Sequence, residues 1–279
     1  MNNSRDQEAT LSEKDFKFIC DFVYKNTGIV LTESKREMVY RRLSRIVRER
    51  GFSSFTEYCD LLKSDPKAEI NYFINAITTN LTSFFREQHH FDFMAKTELP
   101  RLLKANKNKR IRIWSSACST GEEPYSIAMT VVKNIESAAK SWDVKILATD
   151  IDSNVLAKAS EGIYQNKDDL MPKEFKKRFF NTGTGQNNQK IKVKDNVRSL
   201  ITFKQLNLLH EWPMRGPFDI IFCRNVIIYF DKETQSDLFL RFYQLLSPGG
   251  ILILGHSESL GKQQHHFENI GRTIFRKPS

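Results

Sequence analysis

Cysteine is scarce here and scattered. The 279 residues hold four, Cys20, Cys59, Cys118 and Cys223, with no CxxC pair and no histidine at metal-ligand spacing. That pattern excludes a disulfide framework and the usual zinc and redox motifs. The thiols are expected to be reduced and mostly buried, the protein cytoplasmic, and no metal site is expected. Long apolar runs are also missing, so no membrane insertion is expected. The opening residues, MNNSRDQEAT, are polar, and neither a signal nor a transit peptide is expected. No GxxxxGK[ST] or GxGxxG run is present, which removes the common phosphate and dinucleotide loops. No Ser/His/Asp set stands out for nucleophilic catalysis. Neither NPPY nor DPPY occurs, nor any Pro-Cys dipeptide, so the usual equipment for modifying nucleic-acid bases is absent.

What remains is a composition suited to one large domain or two modest ones: 40% hydrophobic, 27% charged, 21 phenylalanines and a net charge of +10. The positive balance predicts an acidic partner surface.

The chain pivots on residues 110–128, RIRIWSSACSTGEEPYSIA. An alternating strand (Ile111, Ile113) enters a turn of small residues, 115–121. Glu122, Glu123 and Pro124 then open a helix, with acids and proline where a helix N-terminus favours them. Strand, tight turn and helix bring backbone N–H groups against a ligand. No lysine accompanies this turn, and two carboxylates follow it. Such a turn repels polyphosphate and suits a cationic or hydroxyl-rich ligand.

Before the pivot the pattern is helical. Ser12 precedes the apolar series Phe16, Ile19, Phe22 and Val23, and Gly28 breaks it. Residues 34–51 form a second helix, with Ser34 as the expected N-cap and Gly51 as the stop. Val39, Leu43, Ile46 and Val47 share one face of it, and Arg41, Arg45 and Arg48 share the other. Residues 35–50 carry seven basic residues and two acids. With no i,i+4 partners expected for the arginines, this face reads as either a contact surface or a solvated one. Short helices over 54–63 and 68–78 lead to TTNLTSFFRE, where Asn80, Thr82 and Arg86 are threaded among apolar residues. The expected organisation is a helical domain over 1–90, a linker over 91–109 and an α/β domain over 110–279.

After the pivot, strands and helices alternate, which predicts a mostly parallel sheet covered on both faces. The second strand, 144–149, ends at Asp150, where nucleoside-binding α/β folds hold ribose hydroxyls; Asp152 suits the N-cap of the next helix. A buried strand over 218–223 leads to Arg224 and Asn225. A helix over 232–246 is ended by Pro248-Gly249-Gly250, a further strand covers 251–254, and 272–276 forms the last. Residues 162–207 interrupt this rhythm. Ile191, Val193 and Val197, with Leu200, Ile201 and Phe203, suggest short antiparallel strands, either decoration or a docking module.

Taken together, IWSSACSTGEEPYSIAM, LATDID, FDIIFCRNVIIYF, LSPGGILILGHSESL and TTNLTSFFRE resemble the chemotaxis receptor methyltransferase family, CheR-type, in order and over nearly the whole chain. The family's variant of the general GxGxG turn is present as Ala117–Gly121, with only the last glycine kept. The resemblance implies an S-adenosylmethionine-dependent (SAM) methyltransferase fold with a helical N-terminal domain and a small antiparallel β insertion. It implies methyl esterification of glutamates on the cytoplasmic helices of chemoreceptors, with S-adenosylhomocysteine as product. By similarity, Ala117 to Gly121 and either Glu122 or Glu123 meet the methionyl part of SAM. Asp150 holds the ribose, and Asn207 with Leu208 the adenine edge. Asn80, Thr82 and Arg86 reach in from the N-terminal domain. Arg224, Asn225 and Tyr229 line the reaction centre. Arg86 or Arg224 would position a carboxylate, the acceptor's or that of SAM. His256, Ser257 and Glu258 belong to a family motif, readable as catalytic or as a helix N-terminus. Arg41, Arg45 and Arg48 would face the receptor, and a receptor C-terminal peptide is the expected partner of the insertion. No nucleic-acid partner is expected, and the protein is expected to be a monomer. A nucleic-acid methyltransferase and a non-catalytic SAM-fold scaffold are the competing readings. Labelled methyl release by alkali separates the first of these from the ester reading, and intact cofactor residues argue against the second.

Overall fold

The computed structural model describes residues 10–135, 141–167 and 171–279; the polar opening residues, on which the absence of a leader was read, lie outside them up to residue 9. The chain divides into two compact units, Met1–Thr79 with Tyr229–Asp231, and Asn80–Ile228 with Lys232–Ser279.

The first unit is helical. Helix α1 (Glu13–Thr27) begins where the Ser12 hydroxyl accepts the Asp15 N–H at 3.1 Å, and ends at Gly28, whose φ of +70° suits a residue without Cβ. Helix α2 (Arg36–Glu49) follows a 3₁₀ turn, Glu33–Lys35. Ser34 therefore sits inside that turn, its hydroxyl 2.8 Å from that of Thr32, and does not cap the helix as expected. Helix α3 (Phe55–Ser64) is capped by Ser54, and α4 (Pro66–Ile77) by Asp65. Ile19, Val39, Leu43, Val47 and Phe55 form the centre of the unit's core.

The arginine face of α2 needs correcting. Arg41, Arg45 and Arg48 are exposed, but Arg41 pairs with Glu37 at 2.7 Å and Arg45 with Glu49 at 2.6 Å. The two acids of the segment stand four residues from these arginines, which is the spacing that brings helical side chains together. Arg42 donates to the carbonyls of Ile77 and Thr78 at the end of α4, and Arg50 pairs with buried Glu69 at 3.0 Å. Part of the basic excess is thus spent inside the unit.

The second unit opens with α5 (His89–Phe93), a π-helical turn (Met94–Glu98) and α6 (Leu99–Ala105). The stretch read as a linker is therefore helix as far as Ala105, because Phe91, Met94, Leu99 and Leu102 bury themselves in this unit's core. Then come β1 (Arg110–Ser115), α7 (Glu122–Asn134), β2 (Asp143–Asp150) and α8 (Ser153–Glu161). Next are β3 (Ile163–Gln165), α9 (Lys173–Phe179), β4 (Phe180–Thr182), β5 (Lys190–Val193) and α10 (Asp195–Arg198). The chain closes with β6 (Ile201–Gln205), β7 (Phe218–Cys223), α11 (Lys232–Leu245), β8 (Leu246–Leu254), β9 (Glu268–Gly271) and β10 (Ile274–Arg276). The main sheet runs β6-β2-β1-β7-β8-β10-β9, parallel from β6 to β8 and antiparallel beyond.

Two sequence expectations change here. Leu200, Ile201 and Phe203 are not part of the insertion sheet. β6 lies parallel to β2 at the edge of the main sheet, pairing Ile201 with Ile146 and Phe203 with Ala148. An edge strand with one apolar face alternates like an antiparallel one, so its period does not reveal its partner. The insertion sheet is β3-β5-β4, antiparallel throughout, and Val197 is in α10 rather than in a strand. In addition, Ser247-Pro248-Gly249-Gly250 is already part of β8, which reaches Leu246 opposite Phe218 across an irregularity in register. A Cβ on Gly250 would lie 2.9 Å from the Ser247 carbonyl, so the irregularity requires glycine.

Candidate active site

Parallel strands bring their successors to one edge of the sheet, and ligands of open α/β sheets bind there, where strand order reverses. In this unit β1 lies between β2 and β7. The turn after β1, the tip of β2, the segment after β6, Arg224-Asn225 after β7 and Gly255–Glu258 after β8 all leave that edge.

The turn is tied down from several sides. Ser116 donates its N–H to the Phe222 carbonyl at 2.9 Å, and Cys118 donates its own to Thr149 at 2.9 Å. Gly121 has φ +97°, and a Cβ there would come within 2.9 Å of both Ala159 Cβ and the Tyr164 hydroxyl. Only glycine fits, which explains why the last glycine of the turn is kept. Ser119, at φ +48°, aims its N–H at Asp150 Oδ2, 2.8 Å away, and its hydroxyl at the Asn80 carbonyl, 2.9 Å away.

Asp150 is the centre of one half of the site. Its Oδ1 accepts the Asp152 N–H at 3.0 Å, and only 7% of the residue is exposed. Burial raises its pKa to about 6, although the N–H groups of Asp152 and Ser119 pull the other way. Asp152 caps α8 as expected, accepting from Asn154 and Val155, and its other oxygen holds the Asn80 side chain at 2.8 Å. Leu206 donates its N–H to the Asp150 carbonyl. Beyond it, Asn207 accepts from Leu209 through its side chain, and the Leu208 carbonyl is held by Arg241 at 2.7 Å and by the Trp212 indole at 3.2 Å. Asn80, Ser119, Asp150 and the approach to Asn207 are thus one connected group.

Arg224 is the centre of the other half. It is buried, donates to Glu123 Oε2 at 2.9 Å and to the Arg86 carbonyl, and lies 3.5 Å from Glu87. Glu123 in turn accepts from Ser115 at 2.7 Å. Its neighbour Glu122 accepts from the Thr120 hydroxyl at 2.6 Å, and burial raises its pKa. Of the pair left open by the sequence, Glu123 is committed to Arg224, and Glu122 lies beside the turn. Asn225, at φ +58°, donates its side chain to Glu87 and its N–H to Glu258. Glu258 also takes the N–H groups of Ile227 and Gly255, so it fixes the loop after β7. Residues 256–258 do not start a helix; the next helical turn is Gly261–His266. Exposed His256 lies 3.0 Å from Glu87. The thiols of Cys118 and Cys223 are pushed far up by burial and offer no nucleophile.

Asn80, Thr82 and Arg86, expected to reach in from the helical domain, belong to the second unit, where the Arg86 side chain donates to the Leu81 carbonyl at 3.0 Å. Ala117 and Thr82 are half-buried. Tyr229 groups with the helical unit, its carbonyl accepting the Val30 N–H at 2.8 Å, as do Arg41, Arg45 and Arg48. Glu87, Arg241 and Trp212 were missed by the sequence reading. Glu87 directly follows Arg86 in the quoted TTNLTSFFRE, but nothing in its spacing sets it apart from a surface acid.

The donor set along this edge is rich in acceptors: the Asp150, Glu122 and Glu123 carboxylates and several carbonyls, with no lysine in the turn. That chemistry fits a ligand with hydroxyls to donate and a positive centre, as SAM has, and it does not fit a polyphosphate.

Comparison with known proteins agrees. The family described as CheR methyltransferase, SAM binding domain, matches residues 80–276, and the CheR all-alpha domain matches residues 14–78. Chemotaxis protein methyltransferase 2 of Pseudomonas aeruginosa is 45% identical over 273 residues, covering 96% of this chain and 95% of that protein. The chemotaxis protein methyltransferases of Salmonella typhimurium and Escherichia coli are 43% and 42% identical, each covering 96% of this chain and 92% of the relative. With both domains matched and the acceptor-rich edge in place, this chain belongs to the CheR family and is a SAM-dependent methyltransferase of chemotaxis.

Proposed function

We propose that the chain converts specific glutamate side chains on the cytoplasmic helices of chemoreceptors to methyl esters, leaving S-adenosylhomocysteine. The observation that carries this reading is the acceptor-rich edge of the sheet. Among the described residues, each strongly buried carboxylate on it is held by N–H groups, a hydroxyl or Arg224 while retaining acceptor capacity, and burial keeps both nearby thiols protonated. A glutamate acceptor needs no base, because with a pKa of ~4.3 it is ionised at neutral pH. SAM supplies the electrophilic methyl group on a sulfonium centre. The protein's part is alignment and a site drier than bulk water, which favours a step that consumes opposite charges.

In this reading Asp150 accepts from the ribose hydroxyls, and Asn207 and Leu208 border the adenine on a segment braced by Arg241 and Trp212. Asn80, Thr82, Ala117, Gly121 and Glu122 line the methionyl side. Glu123 holds Arg224 in place. Arg86, Arg224 and Asn225 border the reacting atoms, and an arginine there orients a carboxylate. Arg41, Arg45 and Arg48 steer the acidic receptor helix, and an outer edge of β3-β5-β4 takes an extended receptor tail by β-augmentation. The protein works in the cytoplasm as a monomer. Among the described residues no helix is long and apolar enough to cross a membrane.

The test is to incubate the protein with methyl-labelled SAM and receptor-bearing membranes, then treat with alkali. Volatile methanol is expected; label that stays in protein after alkali refutes ester formation.

A further inference from the structure

The segment before α5 carries two left-handed residues that are not glycine, Phe85 at φ +54° and Glu87 at φ +58°. Such backbone persists only where the surroundings over-determine it. Here the Phe85 N–H is held by the Ser126 hydroxyl of α7 at 2.9 Å, and that hydroxyl donates to the Glu122 carbonyl at 2.7 Å. The distortion turns Glu87 inward, so that only 10% of its side chain is exposed. Its Oε1 receives the Asn225 side chain at 3.3 Å and faces His256 Nδ1 at 3.0 Å. Its Oε2 lies 3.5 Å from Arg224 and receives no hydrogen bond in the structure.

His90 explains why Oε2 belongs to Arg224. The Thr273 hydroxyl donates to the Arg272 carbonyl at 2.8 Å, so its oxygen is free to accept from His90 Nε2–H, 2.9 Å away. The remaining nitrogen, Nδ1, presents a lone pair to Glu87 Oε2 across 3.5 Å, and it too has no hydrogen-bond partner in the structure. Burial and the nearby Arg224 hold His90 neutral, with a pKa of about 3. Two lone pairs therefore face each other, and Arg224 is the positive group left to balance that oxygen. Glu87, His89 and His90 also offer ligand atoms within 4.8 Å of one another. A dication there would stand beside the Arg224 guanidinium, so this cluster serves the arginine better than it serves a metal.

We propose that Glu87 is a positioning residue of the reaction centre beside Glu123: its one carboxylate orients Arg224 and Asn225 together and links them to exposed His256. The inference rests on the role assigned above to Arg224. Among the described residues no hydrogen bond or ion pair joins Glu87 to the turn after β1 or to Asp150, so it acts through its two neighbours rather than on the cofactor.

A double-mutant cycle tests it, with turnover, SAM affinity by calorimetry and unfolding midpoint measured on Glu87→Ala, Arg224→Ala and the double variant. Glu87→Ala is expected to lower kcat at least tenfold, with SAM affinity within threefold of the parent. In the Arg224→Ala background the same change should cost several-fold less, only the share carried through Asn225, a non-additivity that general destabilisation does not produce. Glu87→Gln keeps an acceptor for Asn225 and should recover part of the loss, which also serves if the alanine variant folds poorly. Equal losses from Glu87→Ala in both backgrounds overturn the inference, as does parental turnover in Glu87→Ala. Loss of parental activity on chelation, restored by zinc, overturns it in favour of a metal site. Full turnover in Arg224→Ala alone would instead overturn the assignment of Arg224.

Discussion

Replacing Asp150 by Asn separates what the site needs from what the fold prefers. Asp150 is buried, and its pKa stands at about 6, against 3.8 for an unperturbed aspartate. For an acid raised in the folded state the native protein binds the extra proton, so stability falls as pH rises from about 4 to about 6. The full cost of the buried charge is about 3 kcal/mol above pH 7, of which about 2 kcal/mol accrues between pH 4.5 and 7.5. Asn cannot titrate, but its amide must face one of the two N–H donors from Ser119 and Asp152, at a cost of about 1–3 kcal/mol. The stability of Asp150→Asn relative to the parent should therefore improve by about 2 kcal/mol between pH 4.5 and 7.5, whatever its absolute value. SAM binding should respond oppositely. A ribose that donates to the carboxylate favours the ionised form, so parental affinity should fall as pH drops through 6, with proton release on binding. The variant should lose about one to two decades of affinity and this pH dependence. Urea unfolding and calorimetric titration at both pH values measure the two effects. A parent whose SAM affinity is equal at pH 4.5 and 7.5, or a variant that binds like the parent, would refute the reasoning.

Gly121→Ala should destabilise the protein by about 1–3 kcal/mol in urea unfolding, because its Cβ meets Ala159 and Tyr164 at 2.9 Å in a left-handed backbone; a change under 0.5 kcal/mol would contradict this. Shortening the turn between β4 and β5 should weaken binding of a receptor C-terminal peptide in a fluorescence titration and leave SAM affinity unchanged, and equal peptide binding would make the insertion decoration. Changing Arg41, Arg45 and Arg48 together to Glu should slow receptor methylation severely at low salt and remove most of its salt dependence, whereas single changes are worth ~0.2–1 kcal/mol each. Because Glu37 and Glu49 stand beside two of these positions, the triple variant should also lose a few tenths of a kcal/mol per new like-charge pair; parental methylation rates at low salt would show a merely solvated face.

The parts of the fold that were legible in the sequence are those with a local cause. Ser12 and Gly28 mark helix ends by their own chemistry, and the alternation of strand and helix after Arg110 predicts a mostly parallel sheet. What escaped depends on distant partners. β6 looks like one more strand of the insertion until β2 lies beside it, since both settings bury one face of a short alternating run. The site divides the same way. Asp150 ends β2 and Arg224 and Asn225 directly follow β7, so their place at the carboxyl edge follows from topology. Glu87 is aimed inward by a backbone twist that no periodicity signals, and the pairing of Glu123 with Arg224 spans a hundred residues of chain.

The costs carried by the second unit gather where its chemistry is. Six residues other than glycine take positive φ among those described, and four of them, Phe85, Glu87, Ser119 and Asn225, lie along the candidate site; the other two, Lys109 and Thr273, border strands. Each such residue costs about 1–2 kcal/mol. Of the four carboxylates raised by burial among the described residues, Asp150, Glu122 and Glu258 lie on this edge, and the fourth, Asp219, lies away from it at the start of β7. A fold selected for stability alone would set glycine or asparagine at positions 85, 87 and 119, as it does at Asn225, and apolar groups at those acids. Strain here aims particular N–H groups and side chains, and buried charge waits for hydroxyl donors and a positive centre. The carboxylates face two different tasks: Glu258 spends its charge on the loop that holds Asn225, while Asp150 and Glu122 keep acceptor capacity beside the turn. Ligand recognition and the aiming of Arg224 are therefore built from separate carboxylates, and a variant in one should leave the other's function readable.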